Sequence, residues 1–329
     1  MNNSDALYSK CTQCPRKCNA DRLAGKTGFC KEDAGLKIAF AGLHFGEEPL
    51  VTVKGGSGTI FFTGCTLRCA FCQNYQISQD GMGRYVDSDE FTKICLDLQN
   101  AGAENINLVT GSHHIPKIAQ FLKAARENGV SIPFCWNSSA YESVEMLELL
   151  KGLVTIWLPD LKTLNSTLSK ELFAAPDYPE VASKAISWMI ENNPMIIEPS
   201  EKDSSLEKMQ QGVIIRHLFL PGRFEETADV LQWLKENADT KACISLMNQY
   251  TPVPFEEEKN CLEQRKKSLA TIENRLVTKE EDADIQDLIE AYDFDYLFYQ
   301  ELSDDTSWLP DFRRPQPFSN KLAKPVWHW

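Results

Sequence analysis

Cys65, Cys69 and Cys72 stand in a C-x3-C-x2-C array, within the run Gly64-Cys65-Thr66-Leu67-Arg68-Cys69-Ala70-Phe71-Cys72. Three thiolates within eight residues can wrap one cubane, because soft sulfur ligands suit iron–sulfur clusters. A complete set needs four ligands, and no fourth cysteine follows closely. Cys95 is the next, and it falls on the apolar face of a predicted helix. One iron would therefore stay open to a chelating small molecule. The bland alternatives are a zinc loop short of a ligand, or three buried structural cysteines.

A second array, Cys11-x2-Cys14-x3-Cys18-x11-Cys30, precedes the first, with Pro15, Gly25 and Gly28 supplying tight bends. Four thiolates can close a tetrahedral zinc site or hold a second [4Fe–4S] cluster, and the spacing does not decide between them. Zinc would staple a segment too short for its own core. An auxiliary cluster would relay electrons or bind substrate, and this is the preferred assignment. Seven of the 11 cysteines lie in the first 72 residues. With no secretory signal and an odd count, metal-binding thiols in a reducing compartment fit better than disulfides.

The elements that must position these groups alternate along the chain. Strands are predicted over residues 58–63, 106–110, 131–136, 154–161, 213–220 and 242–247. Helices are predicted over 87–99 (with Ser88 as cap), 115–128, 141–150, a long region ending near 192, and 225–237. Such alternation implies βαβ units and a parallel α/β sheet, doubly wound or a partial barrel, with its ligand at the carboxyl ends of the strands. Residues 1–50 read as an N-terminal Cys-rich metal or Fe–S segment and 51–255 as the core. Residues 256–329 read as a helical extension ending in an extended C-terminal arm rich in Pro and aromatics.

Composition narrows the classes. The 329 residues are 43% hydrophobic and 25% charged, an ordinary globular balance. No apolar run approaches the ~20 residues of a membrane span, and the N-terminus lacks a signal sequence, so a soluble cytoplasmic protein is expected. A net charge of −13 disfavours nucleic acid as the main partner. The acidic runs at 256–258 and 280–284 read as solvated faces.

The C-x3-C-x-(aromatic)-C array after the first strand of a βα repeat resembles the radical SAM signature, Phe71 being the aromatic. The wider text is similar to the pyruvate formate-lyase activating enzyme superfamily and most resembles its PflX-like branch. The matching stretches are GEEP (46–49), GSGTIFFTGCTLRCAFCQN (56–74), NLVT (107–110), LPDLK (158–162), IRHLFLPG (215–222), SLMNQYTP (245–252) and the terminal PVWHW. The resemblance implies a partial (β/α)6 TIM-like barrel of the radical SAM type. It also implies a [4Fe–4S] cluster on Cys65, Cys69 and Cys72, and S-adenosylmethionine on the open iron. That pair supplies a 5′-deoxyadenosyl radical for hydrogen abstraction.

The resemblance places Phe71 near the adenine and assigns the loop after the second strand to the methionyl amino group. That loop reads Thr110-Gly111-Ser112-His113-His114 in place of the usual Gly-Gly-Glu type, so Thr110 and Gly111 would take over the contact. The two histidines are either substrate-facing proton handlers, or one solvated and one capping the next helix. Asn137 and Ser138 match the position that holds the SAM carboxylate, with an ordinary turn as the bland reading. Asp160 and Lys162, two apart on an extended segment, point the same way and resemble the family's Asp-Leu-Lys motif; a surface ion pair is the alternative. Only one of Arg216 and His217 can face the site. Met247, Gln249 and Tyr250 end the sixth strand, with Met247 at the cofactor or in the core. Glu47 and Glu48 precede the cluster strand and either approach the substrate or, as the preferred reading, are two exposed acids.

Three functions compete. The first is a glycyl-radical activating enzyme, which needs a broad groove for a partner's loop. The second is a radical SAM enzyme acting on a small molecule or another peptide, in a pocket closed by the C-terminal arm. The third is a metal-stapled binding protein without turnover. The expected partners of the first two are a reductant such as flavodoxin or ferredoxin and a protein or small-molecule substrate.

Overall fold

The computed structural model describes residues 3–255, 262–319 and 321–329. Helix α1 (Asn3–Ser9) leads into a tightly turned segment bearing the four N-terminal cysteines. Strands β1 (Leu36–His44) and β2 (Ser57–Phe62) follow as an antiparallel pair. After the Cys65–Cys72 loop come α2 (Tyr75–Ser78), β3 (Arg84–Val86), α3 (Ser88–Asn100), β4 (Ile106–Val109) and α4 (Ile115–Glu127). The chain continues through β5 (Phe134–Ser138), α5 (Val144–Leu147), β6 (Ile156–Pro159), α6 (Ser166–Phe173) and α7 (Tyr178–Asn192). A hairpin of β7 (Ile196–Ser200) and β8 (Asp203–Leu218) precedes α8 (Phe224–Asn237) and β9 (Cys243–Met247). Helices α9 (Leu262–Leu269) and α10 (Lys279–Tyr292) and strands β10 (Leu297–Gln300) and β11 (Ala323–His328) complete the described chain.

The sheet runs β10-β9-β8-β6-β5-β4-β2-β1-β11, with β3 added on β1 and β7 on β8. Every pairing along that path from β2 through β10 is parallel, while β1, β3, β7 and β11 pair antiparallel. The six predicted parallel strands are present, and β10 adds a seventh. The path ends at β10 and β11 without closing, which makes this a partial barrel.

The strands form because short apolar runs such as Ile106–Val109 are buried on both faces. Alternation then sorts the side chains. On β5, Phe134 and Trp136 face the helices while Cys135 faces inward; on β8, Val213 and Ile215 face out and Ile214 faces in. Helix α3 lays Phe91, Ile94, Cys95 and Leu98 on the outer face, and Asp87 caps it by accepting the Glu90 N–H at 2.9 Å. The predicted cap, Ser88, is already inside that helix. The inner face carries a floor built from Leu50, Val51, Ile156 and Leu158 of β6, and Cys243 of β9. A second aromatic patch lies where Phe40, Phe61 and Val109 meet Phe312 and Phe318 of the arm.

Several boundaries depart from expectation. Residues 36–44 belong to the sheet and not to a metal-stapled segment; an apolar run buried on both faces lacks the period-two pattern that marks a strand. The arm ends as β11 on β1. The long helical region breaks at Ala174, whose φ of +53° ends α6. The helix expected over 141–150 shortens to α5 and a 3-10 turn, Glu148–Leu150. The acidic run 256–258 lies outside the described residues, and 280–284 opens α10 behind a Thr278–Glu281 capping box. Among the described residues, no helix is long and apolar enough to cross a membrane.

Candidate active site

The cysteine loop leaves the C-terminal end of β2. Gly64 has φ +76°, and a Cβ there would lie 2.4 Å from Glu32 and 2.8 Å from the Cys30 carbonyl, so only glycine fits this crossing. Arg68 also takes the left-handed conformation, φ +57°. Cys65 and Cys69 are buried and Cys72 half-buried. Burial pushes the Cys69 and Cys72 thiols up, while Lys162 pulls both back; Cys69 also feels both of its neighbours in the triad, and Cys72 feels Cys65. Such thiols ionise when a soft cation takes them. The other described cysteines of the core do not join them: Cys95 packs under α3, and Cys135 and Cys243 lie in the inner floor. No group of three or more His, Cys, Asp or Glu among the described residues is gathered as a single-ion site. Three protein sulfurs would leave one of a cubane's four irons without a side-chain ligand.

At the neighbouring strand ends lies an inward-facing charged cluster. Asp160 accepts from Lys162 Nζ at 2.8 Å and from Arg216 Nε at 2.9 Å, and Arg216 Nη2 donates to Asn137 Oδ1 at 2.6 Å. Burial alone would raise the Asp160 carboxyl, but Arg216 and Lys162 outweigh it and hold it below its usual range. Burial would likewise lower Lys162, and Asp160 with Cys69 raises it instead. Asp160 and Lys162, each with about a fifth of its side chain exposed, are thus a pair aimed at the cysteine loop and not a surface one. Arg216 faces inward. His217 faces out, bonded to the Leu161 carbonyl and to Thr227.

The two loops beside this cluster are tied by Glu142. Its carboxylate accepts from Ser112 (2.6 Å), Ser138 (3.1 Å) and the Trp136 indole (3.1 Å). Thr110, a β-branched residue at φ +63°, is a backbone outlier of the kind that clusters at functional sites; its N–H donates to the Asn137 carbonyl at 2.9 Å. Gly111 sits against Trp136, where a Cβ would approach the ring to 2.8 Å. Ser138 is committed to Glu142 and to the Ala140 N–H, so its hydroxyl braces the loop. Phe71 stands edge-on to Phe173 and Tyr250, 6.0 Å from each. Met247 ends β9 half-buried, and the Tyr250 hydroxyl donates to Asn274 at 2.6 Å.

The histidines are neither substrate-facing nor solvated. His113 and His114 are buried, burial holds both below the usual imidazole range (His113 at about 3), and the side chain of His114 makes no cap bond. They receive the N-terminal segment. The buried Arg22 donates to the carbonyls of Asp33 and His113 and to the His114 ring. Arg16 reaches the carbonyl of Thr66, inside the cysteine loop, at 2.9 Å and that of Phe173 at 2.8 Å. Cys11, Cys14 and Cys30 are buried and Cys18 is exposed; the other three all act on Cys14, whose thiol burial pushes up to about 12. Arg22→Ala should cost ~3 kcal/mol or more, since several buried charge-assisted bonds are lost. Arg22→Lys should not restore them, for lack of the planar fork. Chemical unfolding of the three proteins checks this.

Glu47 and Glu48 are not the exposed acids that the sequence suggests: each side chain is turned inward and only 10% exposed. The segment after β1 folds under the sheet, with the Val51 N–H on the Glu48 carbonyl and the Leu50 carbonyl on the Met209 N–H. Glu48 lies 3.9 Å from Arg216 and Glu47 lies 3.8 Å from His44. Burial, with Glu47 adding to it and Arg216 opposing, pushes Glu48 up to about 7. A carboxyl raised in the folded state keeps a proton that the unfolded chain has released between its ordinary value, 4.5, and the folded one. Its effect is therefore to lower stability as pH rises from about 4.5 to about 7. Glu48→Gln should remove that slope, and the Tm difference between variant and wild type should widen in the variant's favour from pH 5 to pH 7.

A loop of three thiols thus stands at the end of the first parallel strand, beside an inward-facing carboxylate–cation cluster on an open α/β barrel. The sequence model of the radical SAM superfamily matches residues 59–262, and the chain belongs to that superfamily. An uncharacterized protein of Methanocaldococcus jannaschii is 29% identical over 301 residues, covering 89% of this chain and 78% of that one. Among solved structures, SuiB of Streptococcus suis bound to S-adenosylmethionine aligns with a TM-score of 0.47 and 15% identity, over 72% of this chain and 48% of SuiB. The chain thus spans about half the length of SuiB. A domain of pyruvate-formate lyase-activating enzyme from Bacteroides vulgatus aligns with a TM-score of 0.38 and 14% identity, over 57% of this chain and 92% of that domain. The superfamily's cofactors are a [4Fe–4S] cluster and S-adenosylmethionine, and the donor set of Cys65, Cys69 and Cys72 fits that cluster.

Proposed function

We propose that this protein is a radical SAM enzyme of the PflX-like, activating-enzyme-like branch, which abstracts hydrogen from a substrate held on the inner face of its barrel. When bound, the cluster and S-adenosylmethionine supply a 5′-deoxyadenosyl radical. The chain's own residues hold and orient: Cys65, Cys69 and Cys72 take the cluster, Phe71 flanks the adenine, and Asn137, Asp160 and Lys162 receive the methionyl end. Thr110 and Gly111 offer backbone groups to the same end, and Glu142 fixes the loops that carry them. Met247 lies at the rim. The observation that carries this reading is the cysteine triad at the end of β2 facing Lys162 and the Asp160–Arg216 pair. Anaerobically reconstituted protein, reduced and given S-adenosylmethionine, should release 5′-deoxyadenosine; a fully loaded protein that releases none would contradict it.

The substrate reading favours a small molecule or short peptide over a partner's glycyl loop. What supports this is the arm: Phe312 and Phe318 pack on Phe61 at ring separations of 5.6 and 5.4 Å, and Gln76 holds the arm through Phe312 and Asp311. That contact covers one side of the inner face, where a glycyl-radical partner needs a broad groove. A glycyl EPR doublet formed on a candidate partner would reverse this preference.

The N-terminal cysteines are proposed to hold a second metal centre, with a [4Fe–4S] cluster preferred. Arg16, whose guanidinium bridges their segment to the Thr66 carbonyl, makes a route toward the first site. Metal analysis of anaerobic protein decides it: about eight irons without zinc support the cluster, and about four irons with zinc support a staple. A cytoplasmic setting and a flavodoxin or ferredoxin reductant complete the proposal.

A further inference from the structure

We propose that Ser78 is a positioning residue that acts through Cys72, its hydroxyl donating to the ligand sulfur and raising the cluster's reduction potential; this rests on the reading that Cys65, Cys69 and Cys72 hold that cluster.

The first ground is the turn that follows the triad, where three successive residues each meet a different part of the cysteine loop. The Ile77 carbonyl accepts from the Gly64 N–H, next to Cys65, at 3.0 Å. The Ser78 hydroxyl lies 3.3 Å from the Cys72 sulfur. Gln79 Nε2 donates to the Cys69 carbonyl at 3.0 Å. The turn is also fixed from outside. Gln79 Oε1 accepts from Arg265 of α9 at 2.6 Å, and Gln76 is bonded to Asp311 and to the Phe312 N–H of the arm. Ser78 is therefore placed by contacts that do not involve the cluster, as a preorganised donor must be.

The second ground is the chemistry of the bond. A thiol and a hydroxyl can each donate, but a thiolate ligating iron has no proton left and can only accept. The Ser78 hydroxyl must then be the donor. Ser78 is 5% exposed, so little water competes for that bond in a low local dielectric. The Cys65 sulfur also accepts, from the Leu67 backbone N–H at 3.4 Å, whereas the Ser78 bond can be deleted on its own. An electron added to the cluster increases the negative charge on its sulfurs. A donor to sulfur therefore stabilises the reduced form more than the oxidised one, and hydrogen bonds to the sulfurs are among the factors that set cluster potentials. Ser78 eases the one-electron reduction that the proposed radical chemistry requires.

The test is an EPR-monitored redox titration of the full-length, anaerobically reconstituted protein, following the signal that Cys69→Ala lacks. Ser78→Ala should keep its iron and titrate at a lower potential. At a fixed potential its ratio of reduced to oxidised cluster should fall about tenfold, equivalent to ~59 mV for one electron. Ser78→Thr keeps the hydroxyl and should recover most of that difference. A merely structural serine would change Tm and leave the potential in place. An unmoved potential in fully loaded Ser78→Ala, or an equal shift in Ser78→Ala and Ser78→Thr, overturns the tuning role. Iron lost from Ser78→Ala also overturns it, by assigning the serine to cluster assembly. A wild type with no Cys69-dependent signal removes the reading of the triad and the tuning together. A signal that is present in wild type and unmoved in Ser78→Ala removes only the tuning.

Discussion

Cys69→Ala is expected to bring 5′-deoxyadenosine release to background and to strip about four irons per chain. Cys69 is the middle ligand of the triad, buried, and drawn toward ionisation by Lys162. A cubane would be left with two neighbouring thiolates, and the described core cysteines do not replace the third, because Cys95 is sealed beneath α3 and Cys135 and Cys243 lie in the inner floor. Cys95→Ala serves as the matched control. It deletes a buried thiol without touching the triad, so it should retain iron and activity while losing only the ~1 kcal/mol of a small core truncation. Iron retained by Cys69→Ala, with undiminished product, would mean that the triad is not the ligand set.

Asp160→Asn is the second large effect. The carboxylate is the shared acceptor of Lys162 and Arg216, and Arg216 in turn holds Asn137. Neutralising it leaves two inward-facing cations opposite each other, and breaking such a network typically costs about 3–5 kcal/mol. It also frees the two residues beside the cysteine loop that the proposed function assigns to the methionyl end. A drop in Tm, together with at least a tenfold rise in the S-adenosylmethionine concentration needed for half-maximal release, is expected. A stability loss with unchanged cofactor dependence would assign the cluster a structural role alone. Asp160→Glu, which keeps the charge, should recover stability better than the amide does.

The parts of this site that were legible in the sequence are the parts that are local. The triad is eight residues long, and its spacing carries its chemistry. Asp160 and Lys162 declare a common direction because they are two apart, and Arg216 and His217 declare opposite ones because they are adjacent. The six parallel strands announce themselves through apolar runs between helical stretches. What escaped depends on contacts distant in sequence. Glu47 and Glu48 look solvent-exposed until the chain after β1 is seen to fold beneath β8, an event encoded in Leu50 and Val51 rather than in the acids. Two acids followed by Pro49 and an apolar pair was the only available hint. Glu142 has no motif, since its three donors come from residues 112, 136 and 138. The pair His113 and His114 suggested proton transfer by residue type, yet burial against Arg22 and Tyr8 removes their titration from neutrality. β1 was hidden for the same reason that buried strands often are: an unbroken apolar run carries no period.

The most direct test is EPR of the anaerobically reconstituted, reduced protein, recorded alone and with S-adenosylmethionine carrying nitrogen-15 at its amino group. A cluster with an open iron should give a [4Fe–4S]+ spectrum that shifts on adding the cofactor, with hyperfine coupling to the labelled nitrogen. A spectrum that the cofactor leaves unmoved and uncoupled, from a protein with its full iron content, would contradict the account.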